Sequence, residues 1–289
     1  MMSFLIGALL GAPWVLSFAP KGLWWLGLGL LSVLPFLLQK LKRPCLAGLG
    51  FGWAAYGVGV SWLHISLHDY GGLPSALAWA AVLAFSFYLA LFPFLAVWIY
   101  QRFSVPGYST SSTSQAWFNA LLWAATWTFT EWARGTFLTG FAWLGLGDAL
   151  VDSPFAGLLP WLGSHGSLFL LMCVSFLMVS SIAHLFADKR LSTALSAALL
   201  LSATVALARA PVETRSAGVL PVVGVQTNVD QSIKFDPDLI VSNMQKAFAL
   251  GDEASRQLAA GQGGLLVFPE TVNPLVWTDT PVEWQTRFR

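Results

Sequence analysis

Seven apolar stretches, approximately residues 4–18, 23–38, 46–63, 73–100, 116–132, 167–186 and 191–208, constrain this chain more than any other feature. A helix needs about 20 residues to cross the hydrocarbon core of a bilayer. The first two stretches are short by that measure and the fourth is long. Two tight spans or a re-entrant hairpin both fit the first pair, and neither changes the parity of the later ones. Charge is scarce to match: 10% of the 289 residues are charged and 56% are hydrophobic, where a soluble domain carries about 25% charged residues. The charges are also unevenly placed, with five Asp/Glu in residues 1–210 and nine in the last 79. A polytopic α-helical membrane domain is predicted over 1–210, and a water-exposed segment after it.

If all seven stretches span, alternate connections face alternate sides. The second, fourth and sixth carry Lys40, Lys42, Arg43, Arg102, Lys189 and Arg190, and the first, third and fifth carry only Lys21 and Arg134. The positive-inside rule then places the N-terminus in the cytoplasm and everything beyond Ala208 outside it. Most of the 15 tryptophans, among them Trp24, Trp25, Trp62, Trp117 and Trp132, are read as interfacial anchors. A net charge of +1 without a basic run argues against nucleic acid. Cys45 and Cys173 have neither metal-ligand spacing nor a disulfide pattern, and read as small buried residues. Residues 108–115 read as a polar linker.

Two of the outer connections carry polar groups. His64 and His68, at i and i+4, would share a helix face, but no third ligand is near, so a polar cluster is expected rather than a metal site. Glu131 and Arg134, at i and i+3, are predicted to pair, because charges at a membrane boundary are costly alone. The glycine-rich loop 135–166 that follows, with Asp148, Asp152 and His165, suits a re-entrant or surface-lying cover as well as an ordinary interfacial loop.

The tail reads as strand, helix, strand. Residues 219–226 form a strand-like run, and Asp236 and Pro237 read as N-cap and N1 of a helix reaching about Ala260. Leu265 to Phe268 read as a short buried strand, so a parallel pair joined by a crossover is expected. Pro269 stops the ladder, and Glu270 follows at the carboxyl end of the strand, where open α/β sheets place ligands. A carboxylate held against apolar surroundings suits a general base. A further helix start appears at Asp279-Thr-Pro281. Two strands alone bury too little to be stable, so the tail reads as the opening part of a larger domain.

Taken together, Ser17-Phe-Ala-Pro20, Val60-Ser-Trp-Leu-His-Ile-Ser-Leu-His-Asp-Tyr-Gly-Gly-Leu-Pro74, Glu131-Trp-Ala-Arg-Gly135, Thr139-Gly-Phe-Ala-Trp143, Val223-Gly-Val-Gln226, Gln231-Ser-Ile-Lys-Phe-Asp-Pro237 and Phe268-Pro-Glu-Thr271 resemble bacterial apolipoprotein N-acyltransferase. The resemblance implies a multi-pass protein of the bacterial inner membrane whose residues 218–289 begin an extracytoplasmic, nitrilase-like α-β-β-α sandwich of the carbon–nitrogen hydrolase type. It implies a transferase of lipoprotein biosynthesis with a Glu–Lys–Cys triad, in which Glu270 matches the glutamate. A cysteine thiolate takes an acyl chain from a phospholipid as a thioester and passes it to the N-terminal amine of a diacylated apolipoprotein. Phe235, His68, Glu131 and Arg134 are candidate substrate-binding residues. No metal or cofactor is implied, and a monomer in membrane lipid is expected.

This sequence departs from that pattern after Glu270. No lysine follows it, no cysteine follows Cys173, and Phe235 stands where the resemblance would put tryptophan. The lysine, the cysteine and the final span that the resemblance implies are therefore missing, and these residues alone are expected to be a truncated, inactive piece. Two alternatives are a membrane-tethered amidase or nitrilase, and a non-catalytic protein that binds lipid or a partner.

Overall fold

A computed structural model describes residues 1–106, 112–182, 191–258 and 263–288, and divides them into two compact units, Met1–Val212 and Glu213–Arg289. Lys189, Arg190, Ala260 and part of the 108–115 linker lie outside the described residues.

The first unit is helical. Its principal helices are α1 (Met2–Gly11), α2 (Trp24–Leu38), α3 (Pro44–Gly59), α4 (Ser75–Phe103), α5 (Thr113–Thr136), α6 (Leu159–Ile182) and α7 (Leu191–Ala208). A 3₁₀ turn, Ala12–Ser17, extends α1. Three helical segments are long and apolar enough to cross a membrane: Ser75–Phe103, Ala156–Ile182 and Leu191–Ala208. A fourth joins them if Pro44–Gly59 and Leu63–Tyr70, bent by 58° at their junction, count as one span. Met2–Ser17 and Trp24–Leu38 are apolar but shorter. The length of α5, 24 residues, suffices, but its Asn, Gln, Thr, Glu and Arg side chains dilute its hydropathy.

Asn119, Thr126, Thr130, Glu131 and Arg134 of α5 are buried inside the bundle, where polar groups cost least. Asn119 is fully buried and exchanges two hydrogen bonds with the Val105 backbone, at 2.9 and 3.0 Å. The Trp123 indole donates to the Leu31 carbonyl at 2.8 Å. Trp14, Trp123 and Trp127 are buried with Phe51 and Tyr100 in one aromatic core, built largely of edge-on and tilted pairs. The anchoring role expected of most tryptophans therefore does not hold for these three. Trp25, Trp62 and Trp132 are exposed, as anchors would be.

Glycine sets how closely the first helices pack. Gly7 and Gly11, one turn apart on α1, lie against the Ala47 and Phe51 carbonyls of α3, where an added Cβ would overlap the backbone. On the other side of α3, Gly48 and Gly52 meet α4 at Pro93 and Ala90. Small residues on both faces let α3 lie in backbone contact with two neighbours, which favours association where lipid supplies no hydrophobic drive.

The second unit holds β1 (Val222–Gly224), α8 (Ile240–Gln257), β2 (Leu265–Val267) and α9 (Val282–Arg287). The strands pair in parallel with Val223 opposite Leu266, as the strand–helix–strand reading predicts. The ladder is shorter than expected. Its alternation leaves Val223 and Leu266 half-buried on the side where α8 packs, and Val222, Leu265 and Val267 exposed on the other. The strand expected to be buried is thus open on one face. Asp236 starts a turn that becomes regular helix only at Ile240, and its carboxylate accepts from the Asp238 amide at 3.0 Å.

Candidate functional site

Glu270 stands immediately beyond β2, after Pro269, at the carboxyl ends of the parallel pair. The backbone turns sharply there: Asn228 beyond β1 and Thr271 beyond β2 both adopt positive φ, 47° and 54°. Between them opens a cavity of about 500 Å³, whose walls include Asn228, Lys234, Asn243, Phe268 and Thr271. Lys234 reaches across from the loop after β1 and donates from Nζ to the Glu270 carbonyl oxygen at 2.9 Å. The same loop is pinned by Asp230, whose carboxylate accepts from the Ser232 hydroxyl and amide at 2.6 and 2.8 Å. Those bonds hold the Asp230 carboxyl below the usual range.

The Glu270 residue is exposed rather than enclosed by apolar groups, which corrects the surroundings expected for it. The open outer face of the two-stranded ladder is the reason. Phe235 is 52% exposed and lies next to Lys234 in the chain. Lys234 is the residue that reading the sequence left without a role. It is the one lysine between β1 and α8, but nothing in its spacing ties it to Glu270.

The other candidates belong to the helical unit. Arg134 is 1% exposed, and its Nη1 donates to the Phe141 and Trp143 carbonyls at 2.5 and 2.7 Å. The Phe141 amide answers by donating to the Arg134 carbonyl at 2.8 Å. Arg134 Cζ lies 5.0 Å from the centroid of the Tyr56 ring, a cation–π contact, while Nε and Nη2 have no hydrogen-bond acceptor among the described residues. Glu131 is 9% exposed, and its Oε2 accepts from the Trp127 indole at 3.1 Å. The predicted Glu131–Arg134 ion pair is absent among the described residues, whose ion pairs are His68–Asp69 and Arg287–Asp252. Each charge is instead committed to a different neighbour.

The loop that Arg134 holds turns tightly, with positive φ at Leu138, Thr139, Gly140 and Leu144. Only glycine fits at 140, because a Cβ there would overlap the Gly135 carbonyl. Trp143 stacks on Trp62 with ring centroids 5.3 Å apart. His68 sits in a π-helical turn, Ser66–Tyr70, and donates from Nδ1 to the Leu73 carbonyl at 2.7 Å. His64 stacks on Trp79 at 4.6 Å and bonds the Ser75 hydroxyl at 3.0 Å. The two imidazole centroids are 5.4 Å apart, and no cluster of three metal-ligating side chains occurs among the described residues. Cys173 is buried in the helical core and Cys45 is half-buried at the start of α3.

Comparison with known proteins bears on this arrangement. The apolipoprotein N-acyltransferase of Bordetella bronchiseptica is 35% identical over 287 residues, covering 94% of this chain and 52% of that protein. That of Ralstonia nicotianae is 34% identical over 283 residues, covering 96% and 51%. That of Chromobacterium violaceum is 32% identical over 289 residues, covering 99% and 52%. The chain therefore spans about half the length of the curated relatives it matches. The model of the apolipoprotein N-acyltransferase N-terminal domain matches residues 10–177, which include α2 to α5 and the loop held by Arg134. By that match, over more than half of its length, the chain belongs to the apolipoprotein N-acyltransferase N-terminal domain family.

Proposed function

We propose that these residues supply the membrane domain, 1–210, and the opening part of a nitrilase-like catalytic domain, 218–289, of an enzyme that N-acylates lipoproteins. The observation that carries the reading is the placement of Glu270 at the carboxyl ends of a parallel strand pair, beside a cavity and with its carbonyl tied by Lys234. The exposed outer face formed by Val222, Leu265 and Val267 supports the sandwich, because a second layer would cover it. His68, exposed on the helical unit, fits substrates that arrive from a bilayer.

In this reading Glu270 removes the proton from a cysteine thiol. The thiolate attacks the ester carbonyl of a phospholipid, and a lysine ammonium faces the oxyanion of the tetrahedral intermediate. The C–O bond breaks, the leaving alkoxide takes the proton back, and an acyl thioester remains. Glu270 then takes a proton from the N-terminal ammonium of the diacylglyceryl-cysteine. The amine attacks the thioester, the C–S bond breaks, the leaving thiolate takes the nitrogen's second proton to restore the thiol, and Glu270 passes the first proton to water. Phe235, exposed beside Lys234, offers an apolar surface for a lipid chain at the entrance. The lysine and cysteine of this scheme are not among the 289 residues. Cys173 and Cys45, embedded in the helices, are unsuited to the nucleophile's part. The enzyme acts as a monomer in the bacterial inner membrane.

The test follows transfer of a labelled acyl chain from phospholipid to a diacylated lipopeptide, using the protein as the cell makes it. Glu270→Gln is expected to lower the rate by about 10²–10⁴-fold, the span of general-base contributions. Undiminished transfer by that variant would remove Glu270 from the mechanism.

A further inference from the structure

Among the described residues that wall the cavity at the strand ends, Lys234 is the one that carries a charge. Three partners are open to a cation there: a substrate phosphate, the Glu270 carboxylate, or the backbone. The geometry separates them. Lys234 Nζ donates to the Glu270 carbonyl oxygen at 2.9 Å, and among the described residues no ion pair joins the two side chains. The Thr271 hydroxyl donates to the same carbonyl oxygen at 2.7 Å. One oxygen thus accepts from an ammonium and from a hydroxyl, which occupies both of its lone pairs. The bond from the charged donor is the stronger of the two.

The peptide group held in this way stands in a strained turn. Thr271 has φ 54°, in the left-handed region that a β-branched residue seldom adopts. The Val272 amide closes the turn onto the Pro269 carbonyl at 3.2 Å. Such a turn relaxes by rotating the plane of the 270–271 peptide, and Glu270 moves with it. Donors clamped on the Glu270 carbonyl oppose that rotation.

Lys234 is itself anchored. Its loop is pinned on one side by Asp230, which accepts from the Ser232 hydroxyl and amide, and on the other by Asn243 of α8, which donates to the Ile233 carbonyl at 3.4 Å. A long, flexible side chain can hold a neighbour in place only when its own base is fixed.

We propose that Lys234 is a positioning residue for Glu270. It acts through the carbonyl, holding the 270–271 peptide plane, and with it the carboxylate, in the orientation that proton removal needs. It neither touches substrate nor faces the oxyanion. This role presupposes the general-base reading of Glu270 given above.

The test is a double-mutant cycle in acyl transfer from phospholipid to a diacylated lipopeptide, using the protein as the cell makes it. Lys234→Met should lower kcat by about 10–100-fold, the scale of a catalytic group displaced by about 1 Å, with KM for phospholipid little changed. Lys234→Arg, which keeps a cationic donor, should restore most of the rate. In a Glu270→Gln background the loss caused by Lys234→Met should vanish, because no base is left to aim. A loss of equal size in both backgrounds overturns the proposal, since Lys234 would then act apart from Glu270. A raised KM with kcat unchanged also overturns it and would make Lys234 a phosphate ligand. If Lys234→Met fails to fold, Lys234→Gln, with a neutral donor, replaces it in the same cycle and is read in the same way. Undiminished transfer by Glu270→Gln alone would remove the general-base reading. An impaired Glu270→Gln beside a fully active Lys234→Met would remove only the role of Lys234.

Discussion

Arg134 shows how far a single buried charge can organise its surroundings. Spacing along α5 pointed to a pair with Glu131, because i,i+3 neighbours share a helix surface. The guanidinium turns instead to two carbonyls, Phe141 and Trp143, seven and nine residues on. A loop that folds back with four consecutive or near-consecutive positive-φ residues exposes carbonyls that helix spacing cannot foresee. Those carbonyls need donors once buried. Replacing Arg134 by Met should therefore destabilise the helical unit by about 3–6 kcal/mol, two lost hydrogen bonds to a charged donor. Thermal unfolding in detergent would show it as a lowered Tm, with Arg134→Lys recovering part of the loss, because an ammonium keeps the charge but not the planar fork. An unchanged Tm in the Met variant would mean that the loop holds itself. Lys234 was hidden for a related reason. Its bond to Glu270 joins residues 36 apart, and nothing local to either residue announces it.

At the level of elements, the apolar stretches were legible because burial in lipid demands long runs, and each became a helix within about four residues of its expected ends except the sixth, which starts eight residues early at Leu159 and whose expected end lies outside the described residues. The tail was legible in its order and in its parallel pairing, since punctuation by Gly, Pro and Asp marks where strands and helices stop. Its burial was not, because alternation in a three-residue strand is too short to reveal which face is covered. What fastens α9 was also invisible. Arg287 forks onto both oxygens of Asp252 on α8 at 2.6 Å while its Cζ lies 4.4 Å from the Phe248 ring centroid. Phe288, next in the chain, packs against Phe248 and Phe268. The hydrogen bonds from Arg287 hold the Asp252 carboxyl below its ordinary value. A carboxyl depressed on folding lends stability above its unfolded pKa, about 3.9, and loses it as pH falls through the lower folded value. The attachment of α9 should thus weaken in acid and not in alkali. Hydrogen exchange over residues 282–288 is expected to be slower in the wild type than in Asp252→Asn at about pH 5, and the two should converge as pH falls through the lowered Asp252 value. A difference that persisted in acid would assign the attachment to the aromatic contacts alone. The pair is exposed, so the effect is small.

For the whole molecule the deciding quantity is the number of crossings, because it fixes which side of the membrane receives the tail. Seven crossings, as the apolar stretches suggest, put the two ends on opposite sides, and so do the three helices that meet the length and hydropathy needed to span. Counting the bent pair Pro44–Gly59 and Leu63–Tyr70 as a fourth would return both ends to one side. Lys40, Lys42 and Arg43, between α2 and α3, share a side with Arg102 at the end of α4 only if both the bent pair and α4 cross, and the odd count then requires α5, 24 residues long, to cross as well. The short α1 and α2 reach the odd count together, either both crossing or both turning back, so the tail's side does not depend on them. Single cysteines placed in a Cys45→Ala, Cys173→Ala background separate the cases. A membrane-impermeant maleimide should label Ser216→Cys in intact cells, and Met2→Cys and Gln39→Cys only after permeabilisation. Labelling of Met2→Cys and Ser216→Cys from the same side would establish an even count. If both labelled only after permeabilisation, Glu270 would lie on the cytoplasmic side, against the proposed function.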